Sequence, residues 1–510
     1  MKKILYFVIG LILVSPAMAT TKTVGKSGAD FTSIQAAINS FTQAEITDGT
    51  PDVVEIIDGA EYNEQVVLGG LIANPDNQSP GYLNAAIELG LNRDSLTIRG
   101  ANPNQRPKIN PTSNGKSYGV FTNDPGDNFV ATLSFMGKDF RVENVEILQS
   151  SLIDADQYAV NGQAGNMTFK NVLFAHSGAT QPGEALLNFN NAVDIAGKGF
   201  DNSYTFEDCT FDAAVNGQRN DFVDTFYFHG YSASEATEAG VNPDDVPCVV
   251  SFNNCKFLNG ETATMIRGRA QANHISFKNC YIAGNKNGLV GAGKGSFTVE
   301  DCVFYNNQNV ETDSNSDIGA VSLNGRDGFT PQLTVRNSLF VKNLSGDADV
   351  LDGGIGLDSR AAAIRIRNDG TDPDFTIENC TFVDNPVAIR AADKAVRPRK
   401  GTVNNCAFVG SNVAVFTADD FADSYLAGGE VTVLNVSGSG NVFDSNHAVV
   451  ENQDLLPNVK INGTSATVTF TNAAINEADP FDGPPYLITT PTGVGADLST
   501  SSSIPDFMLF

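Results

Sequence analysis

One six-residue pattern governs what this chain can fold into. It reads FNNCKF at Phe252–Phe257. It returns as VENVEI (Val142–Ile147), FKNVLF (Phe169–Phe174), FEDCTF (Phe206–Phe211), FKNCYI (Phe277–Ile282), VEDCVF (Val299–Phe304), VRNSLF (Val335–Phe340), IENCTF (Ile377–Phe382) and VNNCAF (Val403–Phe408). Position 1 is large and apolar, position 2 is polar with varying charge, and position 3 is Asn or Asp. Position 4 is small and usually Cys, and position 6 is Phe or Ile. Alternate residues of a strand face one side, so position 1 cannot share a buried face with positions 4 and 6 unless the chain bends between them. Asn and Asp are the non-glycine residues that best tolerate the left-handed backbone such a bend requires. Each unit therefore reads as strand, one-residue corner, strand, with position 2 toward solvent.

A unit that recurs and cannot bury its own face must stack on its neighbours. The direct spacings Cys255 to Cys280, Cys280 to Cys302 and Cys380 to Cys406 are 25, 22 and 26 residues, enough for one three-stranded coil. After most units an Asn marks a second corner (Asn285, Asn307, Asn343, Asn385, Asn446), and a third strand follows, as in Phe226–His229, Ile266–Arg269 and Ile364–Arg367. The expected architecture is all-β, a three-sheet parallel solenoid. With its Asn corners it resembles the right-handed parallel β-helix of the pectate-lyase-like superfold, from about Thr21 to Asn446.

The order of segments follows. Met1–Ala19 has a basic start, an apolar run and an Ala-Met-Ala cleavage site, so it reads as a secretory signal and the protein as secreted. Residues 20–110 are expected to form an N-terminal cap and first coils, 111–461 the repeats, and 462–510 a C-terminal cap and flexible tail. In Asp30–Phe41, Ile34, Ala37, Ile38 and Phe41 share one helical face, with Thr32 or Asp30 as cap, a helix suited to cover the open end of the stack. The net charge of −27 argues against nucleic acid as a partner and for a self-repelling monomer; no later stretch is apolar and long enough for a membrane. Of the seven cysteines, six hold position 4, so they read as stacked core residues and not as disulfides; Cys248 stands outside the ladder.

The chemistry concentrates in the third strand of each coil. Its outward positions carry Asn188, Asn190, Tyr227, His229, Arg267, Arg269, Asn324, Arg326, Arg365, Arg367 and Arg390. Arginine forks match carboxylate and sulfate, so this stripe points to a groove for an acidic polysaccharide. The bland alternative is that the arginines pair with loop carboxylates and only hold the stack. If the groove is catalytic, β-elimination of a uronate needs a carboxylate neutraliser, a base for the C5 proton and an acid for the leaving oxygen. GETATMIRGR (Gly260–Arg269) resembles the segment of alginate lyases and chondroitinase B that carries a Glu calcium ligand and a Lys base. That resemblance implies Glu261 as a calcium ligand, Arg267 or Arg269 in the place of the base, and Arg365 as acid or clamp. The family's Lys is absent. Tyr227, His229, Asn324, Arg326, Arg367 and Arg390 are then the substrate-binding set. Asp313, Asn315 and Asp317 offer oxygen ligands at a spacing that also suits calcium.

The entry segment DFTSIQAAI and the strand Leu96–Gly100 resemble pectin methylesterases, as does Asp224-Thr225-Phe226-Tyr227. That family's catalytic Gln is Val223 here, Glu261–Thr264 holds no Asp, and the chain has no Trp, so an esterase is the third choice. The leading expectation is a secreted protein that recognises an acidic polysaccharide and cleaves it by β-elimination. A non-catalytic carbohydrate-binding or surface-interaction protein on the same scaffold is the alternative.

Overall fold

The computed structural model describes residues 19–499, except 47, 70–94, 111–129, 150–156, 177–184, 191–201, most of 231–241, 246, 309–318, 326–330, 344–361, 369–373, 386, 391–398, 411–412, 417–433, 445–447, 451–458, 471–472, 476–485 and 491–492. Strands stack in register, each pairing in parallel with its counterpart one coil away. Asn202–Glu207 pairs with Cys248–Asn253, and that with Asn273–Lys278. Short strands such as Lys256–Leu258 and Tyr281–Ala283 make a second sheet, and Asp224–His229, Thr262–Arg267 and Asn287–Ala292 belong to a third. The one antiparallel pairing among the described strands is Thr469–Phe470 with Ile488–Thr490. The expected all-β parallel solenoid is what forms.

Its corners are where the repeat places them. Asn144, Asn171, Asp208, Asn254, Asn279, Asp301, Asn337, Asn379 and Asn405 all take positive φ, between 45° and 57°. They also bond along the stack. Asn254 Nδ2 donates to Asp208 Oδ1 at 2.7 Å, and Asn337 Nδ2 to Asp301 Oδ1 at 2.7 Å. The bend turns position 1 and positions 4 and 6 inward together, and Phe252, Cys255 and Phe257 are all buried. Like positions then stack: Phe206, Phe252 and Phe277 at 4.8 Å between successive ring centres, and Phe304 on Phe340 at 4.6 Å. At the second corner Asn285, Asn307, Asn343 and Asn385 are fully buried and form an amide ladder, Asn307 Nδ2 donating to Asn343 Oδ1 at 2.9 Å. A buried amide left unpaired would cost about 1–3 kcal/mol, so each coil's Asn depends on the next. Asn446 lies outside the described residues.

All seven cysteines are buried free thiols, and burial pushes those of Cys255, Cys302 and Cys406 up. The ladder thiols donate to carbonyls of the preceding coil, as Cys255 Sγ does to Phe206 O at 3.5 Å. Cys248, outside the ladder, opens the strand Cys248–Asn253 and packs in the same core.

One terminal expectation needs correction. The first helix is shorter than Asp30–Phe41: it spans Ile34–Asn39, and Ser33 is its N-cap, the hydroxyl accepting from Ala36 N. Neither Thr32 nor Asp30 fills that role, because the Asp30 carboxylate is held by Thr23 N and Oγ1. The Glu64 carboxylate completes the helix start, accepting from Ile34 N at 2.8 Å and Gln35 N at 2.9 Å. Ile34, Ala37, Ile38 and Phe41 form the buried face.

At the other end, the last described residues run along the side of the stack. Gly495 N donates to Asn405 O at 2.8 Å, Ala496 N to Thr381 Oγ1 at 2.8 Å, and Asn337 Nδ2 to Asp497 O at 2.7 Å. Tyr486, Ala496 and Leu498 pack on the apolar outer face of the second sheet, against a cluster with Tyr281, Val303, Leu339 and Val341. Among the described residues no helix is long and apolar enough to cross a membrane.

Candidate functional site

The third sheet sets its outward side chains in two lines, two residues apart. One runs Asn161, Asn188, Tyr227, Met265, Val290, Ser322, Arg365, with the backbone of Arg390 in register after it. The other runs His229, Arg267, Ala292, Asn324, with the backbones of Asn190 and Arg367 in register at its two ends. The sequence placed these residues on one face, and parallel register adds which coils are neighbours.

The two lines differ sharply in exposure along their length. Asn161, Asn188, Val290, Ser322, Asn324 and Arg365 are buried, although they face away from the core. Tyr227, His229 and Met265 are half-buried, and Arg267 is exposed. Among the described side chains of the face, those with access to solvent, half-buried Ala292 included, thus form a short window over three coils. In it, the Arg267 guanidinium carbon stands 5.5 Å from the centre of the Tyr227 ring, a cation–π contact. The Tyr227 and His229 rings are 6.1 Å apart, and His229 Nε2 is shielded from solvent. Every one of these side chains springs from a strand paired on both sides, so the backbone beneath the window is rigid.

The three arginines expected to act together do not converge. Arg365 is fully buried and lies on the Tyr227 line, three coils from the Arg267 level, about 14 Å at the usual inter-strand spacing. Arg269 follows the strand Thr262–Arg267 at a corner with φ of 48°, half-buried, where its carbonyl accepts from Lys294 N at 3.1 Å. Only Arg267 of the three projects from the open window.

Glu261 belongs to another neighbourhood. It precedes the strand that Arg267 ends, which puts the two about 20 Å apart along an extended chain. Its carboxylate pairs with the nearly buried Lys286, Oε1 to Nζ 3.5 Å. Among the described residues no three His, Cys, Asp or Glu side chains come together as metal ligands. Glu261 therefore does not fit a calcium site shared with Arg267, and no step is assigned to calcium. Asp313, Asn315, Asp317 and Arg326 lie outside the described residues, as do the side chains of Asn190, Arg367 and Arg390.

Lys294 is the residue that sequence reasoning missed. It occupies in the next coil the place that Arg269 holds in its own, and its ammonium pairs with Asp244. A signal for it exists. Successive third strands end His229-Gly230, Arg267-Gly268-Arg269, Ala292-Gly293-Lys294 and Asn324-Gly325-Arg326. The glycine is a packing requirement, since a Cβ on Gly230 would stand 2.4 Å from Gly268 O and one on Gly293 2.3 Å from Arg269 N. The residue after it is basic in three of the four.

A family model described as "Right handed beta helix region" matches residues 225–415, the coils that carry this window. The chain is a right-handed parallel β-helix protein. Solved structures similar to this β-helix include a tailspike protein from Acinetobacter baumannii bacteriophage Fri1, a capsular polysaccharide depolymerase. It is 11% identical, with 86% of this chain and 63% of that chain covered and a TM-score of 0.40. Another is a mannuronic-acid-specific polysaccharide family 6 lyase from human gut microbiota, at 10% identity, 87% and 91% coverage and a TM-score of 0.38. Carrot pectin methylesterase matches at 10% identity, 89% and 90% coverage and a TM-score of 0.29. No curated protein matches the β-helix by sequence.

Proposed function

We propose that this protein is secreted, binds an acidic polysaccharide on the outer face of its third sheet, and cleaves it by β-elimination at the Tyr227–His229–Arg267 window. The observation that carries this reading is the placement of Arg267. It is an exposed guanidinium fixed on a rigid sheet, over an aromatic ring and beside an imidazole, in a chain of net charge −27. Its fork matches a uronate carboxylate in two parallel hydrogen bonds. Neutralising that carboxylate favours loss of the C5 proton, the step that limits elimination. The Tyr227 ring offers an apolar face with a polar tip, the surface a sugar ring packs on.

The test is ultraviolet absorbance of the C4=C5 double bond that elimination creates. Mature protein would be incubated with alginate, polygalacturonate, chondroitin sulfate and dermatan sulfate, with and without added calcium. A rise on at least one is expected, and Arg267→Ala should lower kcat/KM by about 100-fold, the usual loss when one charge-stabilising donor is removed. No rise on any of the four, with heat of binding still seen by calorimetry, would leave a glycan-binding protein without catalysis.

A further inference from the structure

The window holds more than a carboxylate clamp. Tyr227 and His229 are alternate residues of one strand, so both side chains leave the same face of the sheet. Their ring centres are 6.1 Å apart. Arg267 is the register partner of His229 and lies over Tyr227, so one guanidinium is adjacent to both. Any sugar lying on this face meets all three groups from one side.

We propose that His229 is the general base and Tyr227 the general acid of a syn β-elimination, and that the window therefore takes uronates of manno or gluco configuration. The inference rests on the lyase reading above. In the step, the His229 ring turns its shielded Nε2 toward the sugar and takes the C5 proton, and the C5–H electron pair becomes the C4=C5 bond. The C4–O glycosidic bond breaks with its pair on the departing oxygen, which takes the Tyr227 phenol proton. Histidinium and tyrosinate then exchange the proton back. No water, oxidant or reductant is consumed, and Arg267 holds the carboxylate that spreads the charge built at C5.

The stereochemistry follows from the floor. With base and acid both beneath the sugar, the C5–H and C4–O bonds must lie on one side of the ring. That holds for mannuronate and glucuronate. Galacturonate is inverted at C4, and guluronate and iduronate are inverted at C5, so each would need base and acid on opposite faces. The titratable and charged groups that the register places beside His229 are Arg267 from the following strand and Tyr227 from its own.

The test uses the mature full chain on mannuronate-rich and guluronate-rich alginate, chondroitin sulfate, dermatan sulfate and polygalacturonate. The unsaturated product should form from the mannuronate or glucuronate polymers and not from the other three. His229→Asn and Tyr227→Phe should each lower kcat/KM by about 100-fold or more, with unchanged melting temperatures. They should separate in deuterated water. Tyr227→Phe keeps exchange of the C5 hydrogen without cleavage, and His229→Asn loses both. The pH–rate profile should lose its ascending limb in His229→Asn. Product from wild type with both variants within twofold of it would remove this assignment and leave the lyase. Cleavage confined to galacturonan, guluronan or dermatan would do the same. Wild type inert on all five would remove both.

Discussion

The corner residue does two jobs at once. Asn254 holds φ of 57° and bonds to Asp208 across the coil. Alanine forced into that conformation costs about 1–2 kcal/mol, and the lost hydrogen bond adds about 1 kcal/mol. Glycine removes the first cost only. Asn254→Ala is therefore expected to melt at lower temperature than Asn254→Gly, and both below wild type by differential scanning calorimetry; equal melting points would mean that backbone strain is not what selects Asn. At this scale the sequence was fully legible, because left-handed backbone admits few residue types and the same type recurs at the same place. Tyr227, His229 and Arg267 were legible as outward residues for a similar reason, alternation along a strand. The burial of Arg365 was not. Exposure on an outward face depends on what else packs over it, and nothing within Ile364-Arg365-Ile366 records that.

At the scale of strands, position 2 looked like polar residues of varying charge. Stacking turns it into an alternating ladder: Glu55, Arg99, Glu143, Lys170, Glu207, then Asn253, Lys278, Glu300, Arg336, Glu378. Ion pairs close along it, Arg99 to Glu55 at 2.8 Å, Lys170 to Glu207 at 3.2 Å and Arg336 to Glu378 at 3.2 Å. Such exposed pairs are individually worth about 1 kcal/mol or less. Within each of the two runs, their alternation penalises a pairing that skips a coil, since like charges would then face each other. Glu300→Lys sets three cations in a row with Lys278 and Arg336. Its melting point should fall below wild type at low salt and recover most of the difference at about 1 M salt, where screening reaches only a few ångströms. A salt-independent difference would show that packing is responsible. The residue just before the rung is equally regular: Thr168, Thr205, Ser251, Ser276, Thr298, Thr334, Thr376 and Thr402 stand in one line. Hydroxyl and β-branched side chains fit a half-exposed pleated surface, so that line reinforces the sheet.

At the scale of the whole molecule, the second sheet has an apolar outer face, and the C-terminal segment is what covers it. Leu498 is 2% exposed there, beside Tyr281 and Val303. Leu498→Asp should cost about 2–4 kcal/mol by burying an unpaired charge and losing apolar contact. A chain ending before Tyr486 should show a lower melting temperature and bind an environment-sensitive hydrophobic dye. Unaltered melting in both would mean the segment is dispensable to the stack. The Tyr227–His229–Arg267 window lies on a different sheet, so removing the C-terminal segment tests stability separately from the proposed chemistry.

The repeat by itself determined the coil: corner, core ladder and parallel stacking follow from parity and from the few residues that tolerate left-handed backbone, both of which act over a handful of positions. It also placed the candidate residues on one face. Tertiary structure alone decided which of them meet. Arg267 and His229 became neighbours through register across a coil of 38 residues, while Arg365 was separated from Arg267 by three coils and from His229 by four, and Glu261 was claimed by Lys286. Unequal loops between coils erase any fixed spacing between such partners, so their encounter is a property of stacking that no single coil encodes.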